Sequence, residues 1–437
     1  MPWRATSWGR LPLREASTTY SLSDRYAPLP SPATETMLPY GNGRSYGDVC
    51  FNQGGALLHT RGLDRFIGFD PDTGVLECES GVLLSEIIDI ALPRGWFPHV
   101  TPGTSLVTVG GAIANDVHGK NHHRAGCFSH HVLDFGLHRS DGRRLNCSRL
   151  ENRELFQATV GGLGLTGLIT HARLQLRRVS GPWIHGDSQR FNNLNEFFTL
   201  SKESDRDYEY TVAWIDCGAR TGALGRGVFT RGNHASREGV EPKKTPSLRI
   251  PVTPPLSLIN GLSVNLFNMI YYRRGSSSKA DALWHFREFL YPLDGILEWN
   301  RIYGPQGFFQ YQCVIPEAAA LSALQEILKR ISGSGFGSFL TVLKNFGSTP
   351  SLGMLSFARP GATLAIDFPN RGEPTLRLLE SLDEITRSAG GAVYPAKDAR
   401  MSAESFQRYF PAWQEFTRFI DPKFSSSFWR RVTGSRI

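Results

Sequence analysis

Two glycine-rich segments in the first half of the sequence carry residue types that can bind an anion. Residues 101–126, TPGTSLVTVGGAIANDVHGKNHHRAG, place glycines beside small hydroxyl side chains. Successive backbone N–H groups in such loops form a nest for an anion, and glycine lets the backbone approach it closely. This segment alone fits a pair of tight turns equally well. A second loop, YGNGRSYGD at residues 40–48, adds glycines, a cation and an aromatic ring, and the two loops together favour a pyrophosphate site.

A third glycine motif, GLGLTG at residues 162–167, has the spacing GxGxxG of a dinucleotide fingerprint. That fingerprint follows a strand and opens a helix. Here the preceding text, ENRELFQATV, is typical of a helix, and the following text, LITHARLQL, alternates like a strand. A Rossmann domain is therefore not expected.

Three histidines, His118, His122 and His123, have a spacing that could serve a metal on a helix. Gly119 weakens a helix there, and no HExxH pattern or carboxylate set accompanies the histidines. They are more simply interpreted as hydrogen-bond donors, acid–base groups or surface residues, and no metal is expected.

The elements that must position these loops follow from length and pattern. A chain of 437 residues exceeds the roughly 250–300 residues of a single core, so two domains are expected. Strand-like runs ALLHT, FIGFD, GVLECES, VTVGGAIA and LITHARLQL alternate with glycine turns, and Ser85 is placed to cap a short helix before Pro93. From about residue 180, strand-like YEYTVAWID, FFQYQCVIP, FLTVLKNF and ATLAIDFP surround the helical AAALSALQEILKRI, while EPKKTPSLRIPVTPPLS is typical of a loop. The class is α+β, and the tail after Gly390 is too short for its own core.

Charge and cysteine content narrow the partners and the compartment. The net charge of +8 is spread along the chain, which favours an anionic partner such as a phosphate, a dinucleotide or an acidic lipid surface. No nucleic-acid-reading motif is present, and nucleic acid is not expected as a partner. Six scattered cysteines indicate a reducing compartment. Because no run of about 18 apolar residues occurs, we expect a cytoplasmic protein that meets the inner membrane, if at all, at its surface.

Five segments in this order, LPYGNGRSYGD, TPGTSLVTVGGAIANDVHGKNHH, ELFQATVGGLGLTGLI, EWNRIYGPQGFFQYQ and VYPAKDAR, resemble the decaprenylphosphoryl-β-D-ribose 2′-oxidase family, within the vanillyl-alcohol oxidase superfamily. The resemblance extends from about Trp8 to about Arg431. It implies a two-domain α+β fold of the vanillyl-alcohol-oxidase type. An FAD-binding domain would cover residues 1–180, a substrate (cap) domain residues 181–388, and a tail of residues 389–437 would return to the FAD domain.

The resemblance also assigns residues by role. The FAD site would be formed by Gly43, Arg44, Ser45, Tyr46, Pro102, Gly103, Thr104, Gly111, His118, Leu168 and Tyr394, with Leu165, Thr166 and Gly167 bordering the adenine. The substrate would contact Lys120, Trp214, Gln310, Gln312, Lys344 and Lys397. Lys397 and His118 are the catalytic candidates, and which one takes the proton stays open. Related oxidases attach the flavin covalently to a histidine where this chain has Arg44, so non-covalent FAD is expected.

The chain departs from the family pattern in three places. Little sequence lies between Trp8 and Leu38, so one element of the FAD domain is expected to be shortened. Ala365 replaces a cysteine, and Ser426–Ser427 replaces a Ser-Asp pair. These differences bear on the lipid carrier more than on the chemistry.

The implied reaction is oxidation of the 2′-hydroxyl of a polyprenylphosphoryl-β-D-ribose to the 2′-keto sugar. This would be the first step of an epimerisation to the arabinose donor, completed by a separate NAD(P)H-dependent keto-reductase. Two alternatives remain from the sequence: an FAD-dependent oxidase of a free alditol or aldonolactone, and a non-catalytic module that binds anionic lipid. A yellow purified protein that releases flavin on denaturation would exclude the second.

Overall fold

The computed structural model describes residues 5–12, 18–30, 36–219, 222–236, 248–275 and 279–434. The expected shortening between Trp8 and Leu38 lies partly outside these residues. The elements of the first half are the strands β1 (Thr18–Ser21), β2 (Met37–Tyr40), β3 (Ala56–His59), β4 (Phe66–Phe69), β5 (Val75–Glu79), β6 (Trp96–Pro98), β7 (Val132–His138), β8 (Arg144–Ser148) and β9 (Leu168–Arg178), and the helices α1 (Leu84–Ala91), α2 (Val109–Ala114), α3 (His122–Ala125) and α4 (Arg153–Thr159).

These strands form two sheets. A parallel sheet has the order β1-β3-β2, and a second, antiparallel sheet has the order β4-β5-β9-β7-β8, with β6 also pairing with β9. The prediction that the GLGLTG motif is preceded by a helix and followed by a strand is confirmed by α4 and β9. The α+β class is confirmed as well.

Two local predictions in this half were wrong. The run VTVGGAIA was expected to be a strand, but its residues 109–114 form α2, because Thr108 Oγ1 accepts a hydrogen bond from the Gly111 N–H at 3.1 Å and caps the helix. Ser85 does not cap α1. The cap position is Leu83, whose N–H donates to Glu86 Oε2 at 2.7 Å, so Glu86 rather than a serine hydroxyl satisfies the helix start.

The second half is built around one large sheet. Its elements are the strands β10 (Trp183–Phe191), β11 (Tyr210–Ile215), β12 (Gly227–Ala235), β13 (Leu248–Arg249), β14 (Lys279–His285), β15 (Ile296–Leu297), β16 (Phe308–Ile315), β17 (Thr341–Phe346), β18 (Gly361–Pro369) and β19 (Ala392–Val393), and the helices α5 (Leu194–Ser204), α6 (Gly261–Arg274), α7 (Phe286–Leu290), α8 (Glu317–Gly333), α9 (Glu373–Ser388), α10 (Ala403–Tyr409), α11 (Trp413–Phe416) and α12 (Ser427–Thr433).

The large sheet is antiparallel, with the order β14-β10-β12-β11-β17-β18-β16-β19. Side chains alternate between its faces, as the pleat requires. On β16, Tyr311 and Cys313 face the apolar core that includes α8 and α9, and Tyr311 Oη lies 2.8 Å from Thr386 Oγ1 of α9. Gln310 and Gln312 therefore face the other side, away from these helices.

The tail packs against both halves of the chain. Strand β19 pairs with β16, and then Pro395 begins a single 3-10 turn, residues 395–397, so the strand-like GAVYPAKD is a strand only at its start. Arg431 of α12 forms ion pairs with Asp48 Oδ1 at 2.7 Å and Asp398 Oδ2 at 3.0 Å. The division of the chain at residues 180 and 388 stays a prediction.

Candidate active site

A cavity of about 870 Å³ lies between the glycine loops and the large sheet. Every residue assigned to catalysis, cofactor or substrate by the sequence lines it: Gly43, Arg44, Ser45, Tyr46, Pro102, Gly103, Thr104, Gly111, His118, Lys120, Leu168, Trp214, Gln310, Gln312, Lys344, Tyr394 and Lys397. Of the residues expected beside the adenine, Gly167 also lines it, whereas Leu165 and Thr166 are fully buried behind it. Residues more than 300 positions apart in sequence thus share one cavity.

One side of the cavity, here called the loop wall, consists of cavity-lining residues 41–46 and 102–111. The two loops are joined by Asn42 Nδ2, which donates to Leu106 O at 2.7 Å. They also approach closely, because a Cβ added at Gly41 would lie 2.5 Å from Thr108 Oγ1. A Cβ at Gly103, by contrast, would meet no atom within 4 Å, so its backbone faces open cavity. The loop wall therefore offers backbone and small hydroxyls to a ligand.

The cavity holds buried polar atoms that need a ligand. Arg44 Nε, Ser80 Oγ, Asn115 Oδ1 and His118 Nδ1 are buried without a hydrogen-bond partner, and all four residues line the cavity. Leaving such a group unsatisfied costs about 1–3 kcal/mol. A ligand rich in hydrogen-bonding groups would remove this cost. FAD, with its pyrophosphate, ribityl chain and polar ring edge, fits this donor and acceptor set.

The opposite side, here called the sheet wall, consists of cavity-lining residues of β11, β12, β16, β17 and β18. The register places Gln312 beside Ala365 and Ala365 beside Val342, and Lys344 beside Thr363. Because alternate residues share a face, these side chains point together into the cavity. Ala365, which stands where the family pattern has a cysteine, is thus part of the cavity surface.

His118 lies between the loop wall and the sheet wall. The side-chain amide of Gln312 lies 2.9 Å from His118 Nε2, and His118 Nδ1 is buried without a hydrogen-bond partner. The ring packs edge-on against Phe346, with a centroid separation of 4.8 Å. Burial, aided by the charge of Lys344, lowers the pKa of His118 well below its ordinary value. The imidazole is neutral at pH 7.

Three lysines bring positive charge to the cavity. Burial lowers the pKa of Lys397 to about 7 and that of Lys344 to about 8. Burial, with repulsion from Lys344, lowers the pKa of Lys120 to about 7. Lys397 Nζ lies 4.0 Å from the centre of the Tyr46 ring, and Lys120 Nζ donates to Phe289 O. Clustered lysines of lowered pKa favour an anionic group in their midst.

Asp367 is a residue that the sequence reasoning missed. It is fully buried, and its Oδ1 accepts a hydrogen bond from Gln310 Nε2 at 2.6 Å, while the same nitrogen lies 3.2 Å from Tyr46 Oη. Burial raises the pKa of Asp367 to about 7, and Gln310 and the charge of Lys397 oppose this rise. The alternation in ATLAIDFP could have revealed it, because Asp367 follows Ala365 by two residues on the same face.

Arg44 and Tyr394 are held rigidly on the two sides of the cavity. The Arg44 guanidinium lies 4.3 Å from the centre of the Trp8 ring. Tyr394 stacks on Phe357 at 4.7 Å, and its hydroxyl donates to Asn115 O at 2.9 Å. A flat ring system could be placed between such fixed side chains.

Comparison with known proteins assigns this geometry to a class. Residues 33–148, which include the loop wall, match the family described as FAD binding domain. The chain is an FAD-dependent oxidoreductase.

Full-length relatives narrow the class further. The chain is 36% identical to decaprenylphosphoryl-beta-D-ribose oxidase of Mycolicibacterium smegmatis over 413 residues, covering 91% of this chain and 89% of the relative. It is 32% identical to an uncharacterised Streptomyces coelicolor protein over 80% of this chain and all of that one. Cytokinin dehydrogenase 10 of Oryza sativa is 27% identical over 45% of this chain and 38% of its own length. The chain belongs to the decaprenylphosphoryl-β-D-ribose oxidase family, in the vanillyl-alcohol-oxidase-type FAD-binding fold.

Proposed function

We propose that this protein oxidises the 2′-hydroxyl of a polyprenylphosphoryl-β-D-ribose to the 2′-keto sugar. The observation that carries the proposal is the convergence of Lys397, His118 and Lys344 on the cavity that the FAD-binding residues share. The relative from Mycolicibacterium smegmatis, named for a phosphoryl-ribose substrate, supports the substrate class.

The reaction removes the proton of a hydroxyl group and a hydride from the secondary carbon that bears this hydroxyl. Bound FAD supplies the acceptor for the hydride. The residues that would hold it are those of the loop wall together with Tyr394, whose ring is fixed by Phe357. The remaining tasks fall to side chains of this chain: to orient the hydroxyl, to take the proton and to balance charge.

We assign the proton to His118 and the charge balance to Lys397. A neutral imidazole can accept a proton, and the side-chain amide of Gln312, 2.9 Å from Nε2, fixes the ring and leaves Nδ1 as the nitrogen that accepts. Lys397 approaches from the turn after β19 and holds its ammonium beside the Tyr46 ring. A preorganised cation at a dry site stabilises negative charge that develops during the reaction.

Lys344 and Lys120 are proposed to attract the substrate phosphate. Both line the cavity, and repulsion between them contributes to the lowered pKa of Lys120. A phosphate between them would relieve that repulsion. The sugar would then lie between this anchor and the catalytic pair.

The keto product requires a reductive partner. We propose that a separate NAD(P)H-dependent keto-reductase reduces it to the arabinose form, which completes an epimerisation.

The lipid-linked substrate also implies peripheral contact with a membrane. Among the described residues, no helix is both long and apolar enough to cross a bilayer.

We propose that FAD is held without a covalent bond, because the side chain at the attachment position is the Arg44 guanidinium, packed on Trp8. Acid precipitation should leave all the yellow colour in the supernatant. Flavin retained in the washed pellet would contradict this.

The test of the proposed function is anaerobic bleaching of the flavin. Polyprenylphosphoryl-β-D-ribose should bleach the oxidised flavin, and the product should carry a ketone at the 2′ carbon. Free alditols and aldonolactones serve as the controls. Bleaching by these sugars with none by the phosphoryl ribose would overturn the proposal.

A further inference from the structure

Exposed apolar side chains of the described residues concentrate in one short region. Twelve large hydrophobic side chains are exposed, and nine of them lie within residues 248–271: Leu248, Val252, Leu256, Leu258, Leu266, Phe267, Met269, Ile270 and Tyr271. Single exposed apolar residues are normal, whereas a cluster of this kind marks an interaction surface. This cluster is here called the apolar rim.

Helix α6, at the centre of the rim, buries only Val264 and Asn268 among its described side chains and leaves most of its apolar side chains exposed. Its buried positions include Asn268, whose Nδ2 donates to Asp216 Oδ1 at 3.0 Å. Its exposed positions include Leu266, Met269 and Ile270. A surface helix of a globular protein normally shows the reverse arrangement, with its apolar stripe toward the core. The outward apolar face therefore needs an apolar environment.

The segment that carries the rim has charges of one sign. Residues 248–275 contain no Asp or Glu, and they carry Arg249, Arg273 and Arg274. Exposed apolar side chains flanked by arginines suit contact with an anionic membrane, because the apolar groups can enter the interface while the cations meet head-group phosphates. A second copy of this chain fits poorly, because in a two-fold contact residues 248–275 of the other copy would offer these arginines no acidic partner.

The rim is continuous with the mouth of the cavity. Tyr271 and Arg274 of α6 line the cavity, as does Arg249 of β13. Tyr271 lies 4.7 Å, centroid to centroid, from Trp214 of the sheet wall. A ligand that enters along α6 thus passes directly from the rim to the sheet wall.

We propose that the apolar rim docks on an anionic lipid bilayer, with α6 in the plane of the interface and the cavity mouth open to the lipid. This inference rests on the proposed function, because it gives the polyprenyl tail a path: the sugar enters the cavity while the tail stays in the bilayer. Val252, Leu256, Leu266 and Ile270 insert among acyl chains, and Arg273 contacts head-group phosphates.

The experiment is flotation of the full-length flavoprotein with phosphatidylcholine vesicles, with and without phosphatidylglycerol. The protein should float with the anionic vesicles. The double variant Leu266→Asn/Ile270→Asn should bind these vesicles with an affinity reduced ~10-fold or by a larger factor, because two apolar contacts with the bilayer are lost. Neither residue lines the cavity, so flavin content should be unchanged.

Matched controls separate the rim from the rest of the surface. The variant Leu150→Asn/Leu376→Asn changes two exposed leucines outside the rim and should bind like the wild type. The variant Arg273→Glu should weaken binding to vesicles that contain phosphatidylglycerol and leave binding to pure phosphatidylcholine as it is.

Failure of this inference is distinct from failure of the proposed function. Flotation of the double variant equal to that of the wild type, or no flotation of the wild type, overturns the docking surface. A wild-type dimer that becomes a monomer in the double variant would make the rim a contact between copies and also overturns it. A water-soluble, short-chain phosphoryl ribose tests the chemistry separately: wild type and double variant should oxidise it at equal rates, and no oxidation by either would sink the proposed function alone.

Discussion

The loop wall and the sheet wall face the same cavity but are built from different chemical material. The loop wall presents glycine backbone and small hydroxyls, and at Gly103 nothing but open cavity lies beyond the backbone. The sheet wall presents long side chains such as Gln310, Gln312 and Lys344, aligned by strand register. A wall made of backbone suits a cofactor that is the same in every turnover. A wall made of side chains can be retuned for a substrate.

The strongest test of this contrast is Lys397→Met, at the edge of the sheet wall. Loss of the ammonium should slow flavin reduction by substrate about 10²–10³-fold, because one preorganised electrostatic donor is removed. FAD binding should persist, since the loop wall is untouched. Stopped-flow bleaching under anaerobic conditions measures the rate. Lys423→Met, at an exposed lysine of the same tail, is the control. Reduction at a nearly normal rate would leave catalysis to His118 alone.

Gly103→Val tests the loop wall, and here the expected loss is in FAD binding instead of the rate of flavin reduction. A Cβ there meets no protein atom within 4 Å, so the flavin-free protein should keep its thermal midpoint. The affinity for FAD should fall about tenfold or more, because the new side chain fills the space through which the backbone of the loop would contact the cofactor. Titration of flavin-free protein with FAD measures this. Gly68→Val, also with no atom near its Cβ but outside the cavity, should bind FAD normally. Normal FAD affinity in Gly103→Val would show that the ligand stays clear of this loop.

Asp367→Asn examines the coupling between Lys397 and the buried carboxylate of β18. The carboxylate raises the pKa of Lys397, so its loss should lower that pKa further below the present value of about 7. If protonated Lys397 is the active form, activity is lost as pH rises through this pKa, and the alkaline limb of the reduction rate should move to lower pH by about one unit.

The pH profile of the reduction rate is the readout, with Asp72→Asn, at an exposed carboxylate, as the control. A profile that stays in place in Asp367→Asn, with only a lower rate, would reduce Asp367 to a packing role.

The smallest expected effect is that of Lys344→Met on the stability of the flavin-free protein. Burial lowers the pKa of Lys344 to about 8, so the unfolded chain binds its proton more tightly. The charged lysine therefore destabilises the fold fully below pH 8, and this cost disappears as pH rises toward the unfolded value of about 10.4. The methionine variant should be more stable by about 1 kcal/mol at pH 7, and the gap should close toward pH 10. Thermal midpoints of the flavin-free proteins measure it. A difference in stability between the two proteins that does not change with pH would mean that the Lys344 ammonium is solvated.

The same contrast explains what the sequence could reveal. The loop wall could be predicted because glycines and hydroxyls in close sequence are themselves the groups proposed to bind the cofactor. The sheet wall could not be derived this way, since Gln312 and Lys344 meet only through the pairing of distant strands, and their roles came from the resemblance. Asp367 was missed for this reason. The segment VTVGGAIA misled because β-branched residues favour a strand, while the Thr108 cap decides for a helix.

During synthesis, the residues that line the cavity are made before Arg431, whose ion pairs hold two of the surrounding segments together. Every cavity-lining residue precedes Asp398, yet the arginine that joins Asp48 to Asp398 follows 33 residues later. At roughly 5–20 residues per second, the ribosome adds it a few seconds after Lys397. A nascent chain thus contains every cavity-lining residue before it contains Arg431. The ion pairs of Arg431 then join the first glycine loop to the turn that carries Lys397. Cofactor loading would be favoured late, once Arg431 has emerged.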